Sequence, residues 1–459
     1  MREALESRFR ISERGTSLKI EAIGGITTFV TMAYIIVVNP AILAFAGIPA
    51  GPSTVATILT AAFGCLLMGF YANLPIAVAP YMGENAFIAF GLAAMGIGWE
   101  QRLGTVFVSG ALFLILTLLK LRGWLFDAIP VSLKLSFAVG IGLFLALIGL
   151  YETGIVTSGA AGMDPAALTL PTGLLRAPDV PLKIGALHTP QALLSVGCFL
   201  LICALLHRRV PGAILIGMAA TGVAGIAMGL GPAPRALAAT PFLGQYSLGD
   251  LAFRLDITGV LRLSLLPVLM TLFLMSFLDT LGTLVGVGAA AGMLREDGSF
   301  PEVEKPMTVD ALTCMFAACV GTSTSGAYIE SATGIREGAR TGLAAVVTGL
   351  LFVAALFFIP LLEPLQRMTY AYGPALVVVG VLMAGLLTKL DLSDITEAAP
   401  ALTSITMMVF TYSIGNGLTA GLVIYPVIKA LAGRGRELKP GLLALSALCL
   451  VYFIFGLPH

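Results

Sequence analysis

The chain has 459 residues, of which 58% are hydrophobic and only 11% charged, against about 25% charged in an ordinary soluble chain. Basic and acidic residues nearly cancel, 26 against 25, and they cluster between long uncharged stretches, so there is no basic face for nucleic acid. This composition excludes a soluble globular enzyme and a DNA- or RNA-binding protein.

The first twenty residues mix both signs of charge and have no apolar run ahead of a small-residue cleavage site, so no cleaved signal peptide is expected. From Ala22 to Gly83 there is no Asp, Glu, Lys or Arg, and about 20 apolar residues already cross a bilayer as a helix. The chain therefore reads as an all-α polytopic membrane protein. Apolar runs bounded by charges, Pro and Gly predict about fourteen spans, near 20–44, 53–72, 84–97, 103–120, 132–151, 190–206, 211–229, 263–290, 307–320, 327–335, 340–361, 373–388, 398–432 and 439–456. The pieces after Pro80 and Gly326 are too short for a straight crossing at about 1.5 Å per residue, which predicts broken helices there.

Lys and Arg set the orientation. Arg2, Arg8, Arg10, Arg14 and Lys19 precede the first span, Lys120 and Arg122 follow the fourth, and Arg208 and Arg209 follow the sixth. The N-terminus is expected in the cytoplasm of a cell bounded by a bacterial inner-membrane type of plasma membrane, with the long loops 152–189 and 230–260 outside. Residues 398–432 allow two readings. A single crossing places Arg434, Arg436 and Lys439 outside, whereas a short hairpin keeps them inside.

The two halves show internal similarity. A-P-Y-M-G-E-N-A (Ala79 to Ala86) can be laid on S-G-A-Y-I-E-S-A (Ser325 to Ala332), matching Glu84 with Glu330, and Arg102 to Phe113 resembles Arg340 to Phe352 with one residue inserted. Repeats with a broken helix in each are the sequence pointer to a transporter. Seven spans per half is odd, so the second copy is expected to be inverted.

Asp279 lies 17 positions after Arg262 and 16 before Arg295, which puts a carboxylate at the middle of its helix at a cost of about 2.5–3.5 kcal/mol on insertion scales. Ser276, Asp279, Thr283 and Gly286 share one helical face and form a polar stripe expected to line a cavity. Glu330 sits in a stretch from Gly321 to Arg336 too rich in Gly, Ser and Thr for a lipid-facing helix. Pro75 and Pro80 break the chain just before Glu84 and Asn85. Both segments read as an extended approach followed by a half-helix whose N-terminal amides point at a midplane ligand. Asn85 both donates and accepts, which suits the edge of a heterocycle. Ala327 and Tyr328 offer backbone amides and a stacking face. Gly24, Thr28 and Thr31 share a face of the first span that serves either close helix packing or a ligand. Arg336/Glu337 and Asp394/Glu397 lie near span ends and suit solvated caps, with Glu397 also suited to a gate. The six cysteines, Cys65, Cys198, Cys203, Cys314, Cys319 and Cys449, read as small buried hydrophobes. Only His207 lies at helical spacing from a cysteine, so neither a metal site nor a cofactor is expected.

Taken together, G-G-I-T-T-F-V-T-M-A-Y-I (Gly24 to Ile35), A-N-L-P-I-A-V-A-P-Y-M-G-E-N-A-F (Ala72 to Phe87), F-L-D-T-L-G-T (Phe277 to Thr283) and S-A-T-G-I-R-E-G-A-R-T-G-L (Ser331 to Leu343) resemble the nucleobase-cation symporter-2 superfamily, most closely its azaguanine-type purine permeases. The resemblance covers nearly the whole chain. It implies fourteen spans in two inverted seven-span repeats, with broken helices and short strands in spans three and ten. A cytoplasmic segment 1–19 precedes a core domain (20–122 and 231–361), which moves against a gate domain (123–230 and 362–459). It implies uptake of purine bases such as adenine, guanine and hypoxanthine together with protons, and it admits a homodimer in the lipid. The binding positions carried across fall on Asn85, Asp279 and Glu330. Tyr81 stands where the family motif has Gly, and Glu84 where it is commonly apolar.

The expected mechanism brings Asp279 and Glu330 to one pocket from the two repeats, one accepting hydrogen bonds from ring N–H groups and the other carrying the coupled proton, with Glu84 as a further proton-coupling residue. Desolvated carboxyls favour the protonated form, which makes such coupling feasible. The rivals are a sulfate- or bicarbonate-type anion carrier of the same fold, a channel, and a membrane enzyme. Acids at both half-helix tips disfavour an anion, and no nucleophile–base–orienter grouping supports an enzyme.

Overall fold

A computed structural model of the chain describes residues 2–119, 128–164, 181–262, 265–291 and 303–455. Lys120, Arg122 and Arg295 of the sequence reading lie outside these residues, as do the side-chain surroundings of Gly286. Helices dominate. Eight described helices are long and apolar enough to cross a membrane, Leu18–Phe45 and Ala50–Ala72 first among them, while Ala213–Ala227, Val268–Leu284, Ile395–Phe410 and Pro440–Val451 are apolar but shorter.

The predicted breaks after Pro80 and Gly326 are present, and there is a further one that the sequence reading does not contain. The first span is interrupted at Ala33–Tyr34, between helices Leu18–Met32 and Ile35–Phe45, and Pro40 lies inside the second piece. Pro40 has no N–H to give the Ile36 carbonyl. That carbonyl is taken instead by Gln366 Nε2 at 3.1 Å, which also donates to Thr54 Oγ1 at 2.9 Å. Gln366 belongs to the turn Glu363–Arg367, so the bend in the first span is tied to the link between the eleventh and twelfth.

The third and tenth spans are strand-then-helix. Strand β1 (Val78–Pro80) leads into the half-helix Met82–Ala86. Strands β2 (Val156–Ser158) and β3 (Leu182–Ile184) form a separate ribbon in the long loop. Strand β4 (Ser325–Ala327) leads into the half-helix Ser331–Arg336. β1 and β4 pair antiparallel through Val78↔Ala327, Ala79↔Gly326 and Pro80↔Ser325, extended at each end by Tyr81 N–H to Thr324 O and Tyr328 N–H to Ala77 O, both 2.9 Å. Three-residue strands leave edges open in a medium without water. Two thiols close them: Val78 N–H donates to Cys65 Sγ, which bonds back to Val78 O, both at 3.3 Å, and Cys314 does the same for Ser325 at 3.3 and 2.9 Å. Four of the six cysteines, Cys65, Cys198, Cys314 and Cys449, are buried as their reading as small hydrophobes requires, whereas Cys203 and Cys319 are only partly so, and Cys65 and Cys314 also carry backbone hydrogen bonds.

This pairing corrects the expected overlay of the halves by one residue. The local two-fold axis between Ala79 and Gly326 relates Tyr81 to Tyr328 and Glu84 to Ser331, not to Glu330. Further on, Arg102 and Arg340 do correspond. Arg102 Nε donates to Ile97 O and Arg340 Nη1 to Ile335 O, each at 2.7 Å and each five residues back.

The packing of the remaining spans also repeats. Val131–Glu152 lies along Thr369–Ala384, and the two cross so closely that a Cβ on Gly380 would sit 2.3 Å from the Gly142 carbonyl. Pro190–His207 and Ala213–Ala227 pack on Thr369–Ala384, as Ile395–Phe410 and Ile414–Leu431 pack on Val131–Glu152. Residues 398–432 thus form the hairpin reading. Two helices turn at Tyr412, with φ +53°, and the far ends meet where Arg434 Nη1 lies 2.5 Å from Asp394 Oδ2.

Candidate functional site

The site grows out of the β1–β4 crossing. Both half-helices start there, and the helices Leu266–Ala291 and Glu304–Val320 pack against it. Asp279, at the middle of Leu266–Ala291, is half-buried. The next residue, Thr280, has its hydroxyl 2.9 Å from that of Tyr81. Glu330 stands at the N-cap of Ser331–Arg336 and is also half-buried. Its Oε1 accepts a hydrogen bond from Tyr34 Oη at 2.9 Å, a phenol aimed by the break in the first span. Asp279 lies within electrostatic reach of Glu330, and the helices that carry them pack together.

The other sequence-predicted residues surround this pair in different ways. Glu84 is completely buried, and neither of its oxygens has a hydrogen-bonding partner among the described residues. It acts electrostatically on Asp279. Asn85 is also completely buried, and its Nδ2 donates to Asn39 Oδ1 at 2.6 Å. Asn39 Nδ2 in turn reaches Thr57 and Thr322 at 2.8 and 2.9 Å, so one face of Asn85 is spent on joining the first, second and tenth spans. Its Oδ1 has no partner among the described residues. The amides expected to face a ligand are likewise used: Ala327 N–H donates to Asp310 Oδ2 at 3.0 Å and Tyr328 N–H to Ala77. The Tyr328 ring lies parallel to that of Tyr81, 8° apart with centroids at 6.4 Å. Thr28 is buried against the half-helix, where a Cβ on Gly334 would lie 2.3 Å from its Oγ1.

Sequence reasoning missed Asp310. It is completely buried in Glu304–Val320, one oxygen holds β4 and the other has no partner among the described residues. Its signal was the one used for Asp279, a carboxylate inside an apolar run, but it sits only three residues inside the predicted span 307–320 and resembles an end charge. Tyr34 was quoted within its motif without a role.

Four carboxyls therefore gather around the crossing, and none of them forms an ion pair with Lys or Arg among the described residues. Nor do three His, Cys, Asp or Glu side chains among the described residues group closely enough to hold a metal ion. Chemically, the arrangement presents hydrogen-bond acceptors from two converging elements, with hydroxyls and phenols between them. Such a surface complements a neutral, planar N–H donor or a proton and repels an anion.

Comparison with known proteins places this geometry in a family. The model of a permease family, the xanthine/uracil permeases, matches residues 19–418. The chain is 37% identical to the adenine permease AdeP of Escherichia coli (strain K12), over 98% of this chain and 96% of that one. It is also 37% identical to the guanine/hypoxanthine permease PbuG of Bacillus subtilis (strain 168), over 98% of this chain and all of the other. In fold it is similar to the transmembrane domain of a cyanobacterial bicarbonate transporter, BicA, with TM-score 0.63 over 88% of this chain and 97% of that one at 15% identity. A multi-pass helical membrane protein with these matches is a transporter rather than an enzyme, and the chain belongs to the nucleobase-cation symporter-2 family of permeases.

Proposed function

We propose that the chain imports a purine base of the adenine, guanine or hypoxanthine class together with protons. Asp279 and Glu330 form the two walls of the binding site, and the strand-bearing core, residues 20–122 and 231–361, slides against a gate formed by 123–230 and 362–459. The observation that carries this reading is the convergence of two half-buried carboxyls, one on a full helix and one on a half-helix, with no ion-pairing cation among the described residues. Glu330, held by Tyr34, keeps a fixed acceptor for a ring N–H, while Asp279 exchanges the coupled proton. Asn85 and the Ala327–Tyr328 strand position the half-helices. The similarity to an adenine permease, AdeP, and a guanine/hypoxanthine permease, PbuG, supports a purine as the guest.

The bicarbonate carrier of similar fold favours a second reading, an anion exchanger. Four unpaired acids around the crossing oppose it, since an anion there would meet like charge without a cationic partner.

The test is uptake of radiolabelled adenine, guanine and hypoxanthine in cells lacking their own permeases, with and without a protonophore. Asp279→Asn and Glu330→Gln are each expected to lower uptake about a hundredfold, the loss of two hydrogen bonds to charged groups, while leaving the amount of protein in the membrane unchanged. Purine uptake that survives in both variants removes the site. Bicarbonate or sulfate uptake without purine uptake reverses the substrate class.

A further inference from the structure

Glu84 departs from the family motif, and the acid pair just described has no use for it. It is completely buried, and both its oxygens lack partners among the described residues. Among the described residues its surroundings offer no compensating charge. Leu266–Ala291 contributes Asp279, and Glu304–Val320 contributes Asp310 and Cys314. The strand ends contribute the phenols of Tyr81 and Tyr328. Val131–Glu152 contributes an apolar wall, since a Cβ on Gly83 would lie 2.6 Å from Ile141 Cγ2. An ionised carboxylate is strongly disfavoured in such a place, and a group so placed holds a proton instead.

That enclosure is conditional. The wall pressed on Gly83 belongs to the fifth span, on the gate side of the proposed sliding surface, so a movement of the core against that gate would bare the half-helix face next to Glu84. We propose that Glu84 is a proton-carrying site of its own, loaded while the half-helix Met82–Ala86 lies against Val131–Glu152 and unloaded when the two separate. The proposal rests on the proton-coupled reading above and deepens it. The step is a proton transfer alone: the carboxylate takes a proton from water on one side before the contact forms, keeps it as an O–H while the contact is closed, and gives it to water when the contact opens to the other side.

In proteoliposomes of the full chain, an internal pH dye and radiolabelled adenine together give the protons moved per adenine. Glu84→Gln keeps the shape and neutrality of the loaded group and is expected to move about one proton fewer per adenine, which lowers accumulation roughly tenfold for each pH unit of gradient. An unchanged ratio overturns the proposal. A variant too slow to transport is read by calorimetric titration of purified protein with adenine in two buffers of different ionisation enthalpy. There, Glu84→Gln and Glu84→Leu take up fewer protons on binding than wild type if the proposal holds, and equal counts in all three overturn it. Wild-type uptake with no proton movement at all overturns the coupling reading as well, and is recognised because the wild type itself fails.

Discussion

The protein contains two acid clusters that treat charge in opposite ways. At the strand crossing, Glu84, Asp279, Asp310 and Glu330 lie together without a cation among the described residues. At the ends of the hairpin helices, Asp394, Glu397 and Glu437 are each paired with a cation. Lys429, completely buried, has its Nζ 2.7 Å from Glu397 Oε1 and 2.9 Å from Glu437 Oε2. Glu397 also accepts from Tyr425 Oη at 2.7 Å and from the Ser132 hydroxyl. Arg434 bridges Glu437 and Asp394, and Asp394 caps its own helix through Thr396 N–H at 2.9 Å. The paired cluster fastens three helices into one unit. The unpaired one leaves its hydrogen-bonding capacity for a guest and for protons, and evenly matched charges would have removed that capacity.

Breaking the paired cluster should have the largest effect on stability. Lys429→Met leaves Glu397 without its cation and is expected to cost about 3–5 kcal/mol, read as a lower midpoint in thermal or denaturant unfolding of the purified protein. An unchanged midpoint means that the pairing does not hold these helices together. A smaller effect, on function rather than stability, is expected at the unpaired cluster. Tyr34→Phe removes the phenol from Glu330 and should raise the apparent KM for base by roughly tenfold, the worth of one hydrogen bond to a charged group, with maximal uptake retained. A fall in maximal uptake with KM unchanged would assign Tyr34 to the moving step instead.

The smallest effect is expected at the solvent-facing edge of the paired cluster. Arg434→Ala should change uptake at neutral pH by less than about twofold. Its signature is in acid. The Thr396 hydroxyl, the Arg434 guanidinium and the Thr396 N–H hold the Asp394 carboxyl below its ordinary value of 3.8. A group depressed in the folded state adds stability above that ordinary value and loses it as pH falls through the folded one. With Arg434 gone the depression shrinks, so unfolding midpoints measured below pH 3.8 should decline less steeply than in wild type. Identical acid profiles would show that the threonine alone sets the carboxyl.

How much of this was legible beforehand depended on whether the cause was local. Asp279, Glu330 and both helix breaks could be read from a carboxylate far from other charges, or from Pro and Gly in apolar runs, because those signals lie within one segment. Residues 398–432 admit two readings in the sequence, since only the meeting of Arg434 with Asp394 at the far ends decides between them. The overlay of Glu84 on Glu330 was off by one because matching letters cannot reveal strand register, which is set by hydrogen bonds between the halves. Asn85 seemed free for a ligand because its partner Asn39 is 46 positions away, and Asp310 was passed over because proximity to a predicted span end outweighed its apolar neighbours.

The β1–β4 pair also constrains how the molecule is made. Val78–Pro80 finds its partner strand only in Ser325–Ala327, roughly 250 residues later, which at ribosomal speeds of about 5–20 residues per second is a wait of roughly 12–50 s. In the folded chain one edge of that strand is covered by the Cys65 thiol and the other by Ser325–Ala327, so until the second half is made the latter edge has no strand to pair with. A nascent first half therefore has a raw seam, and whatever shelters it until the second half arrives, water held between helices or the insertion machinery itself, is as necessary to biogenesis as the sequence of the strand.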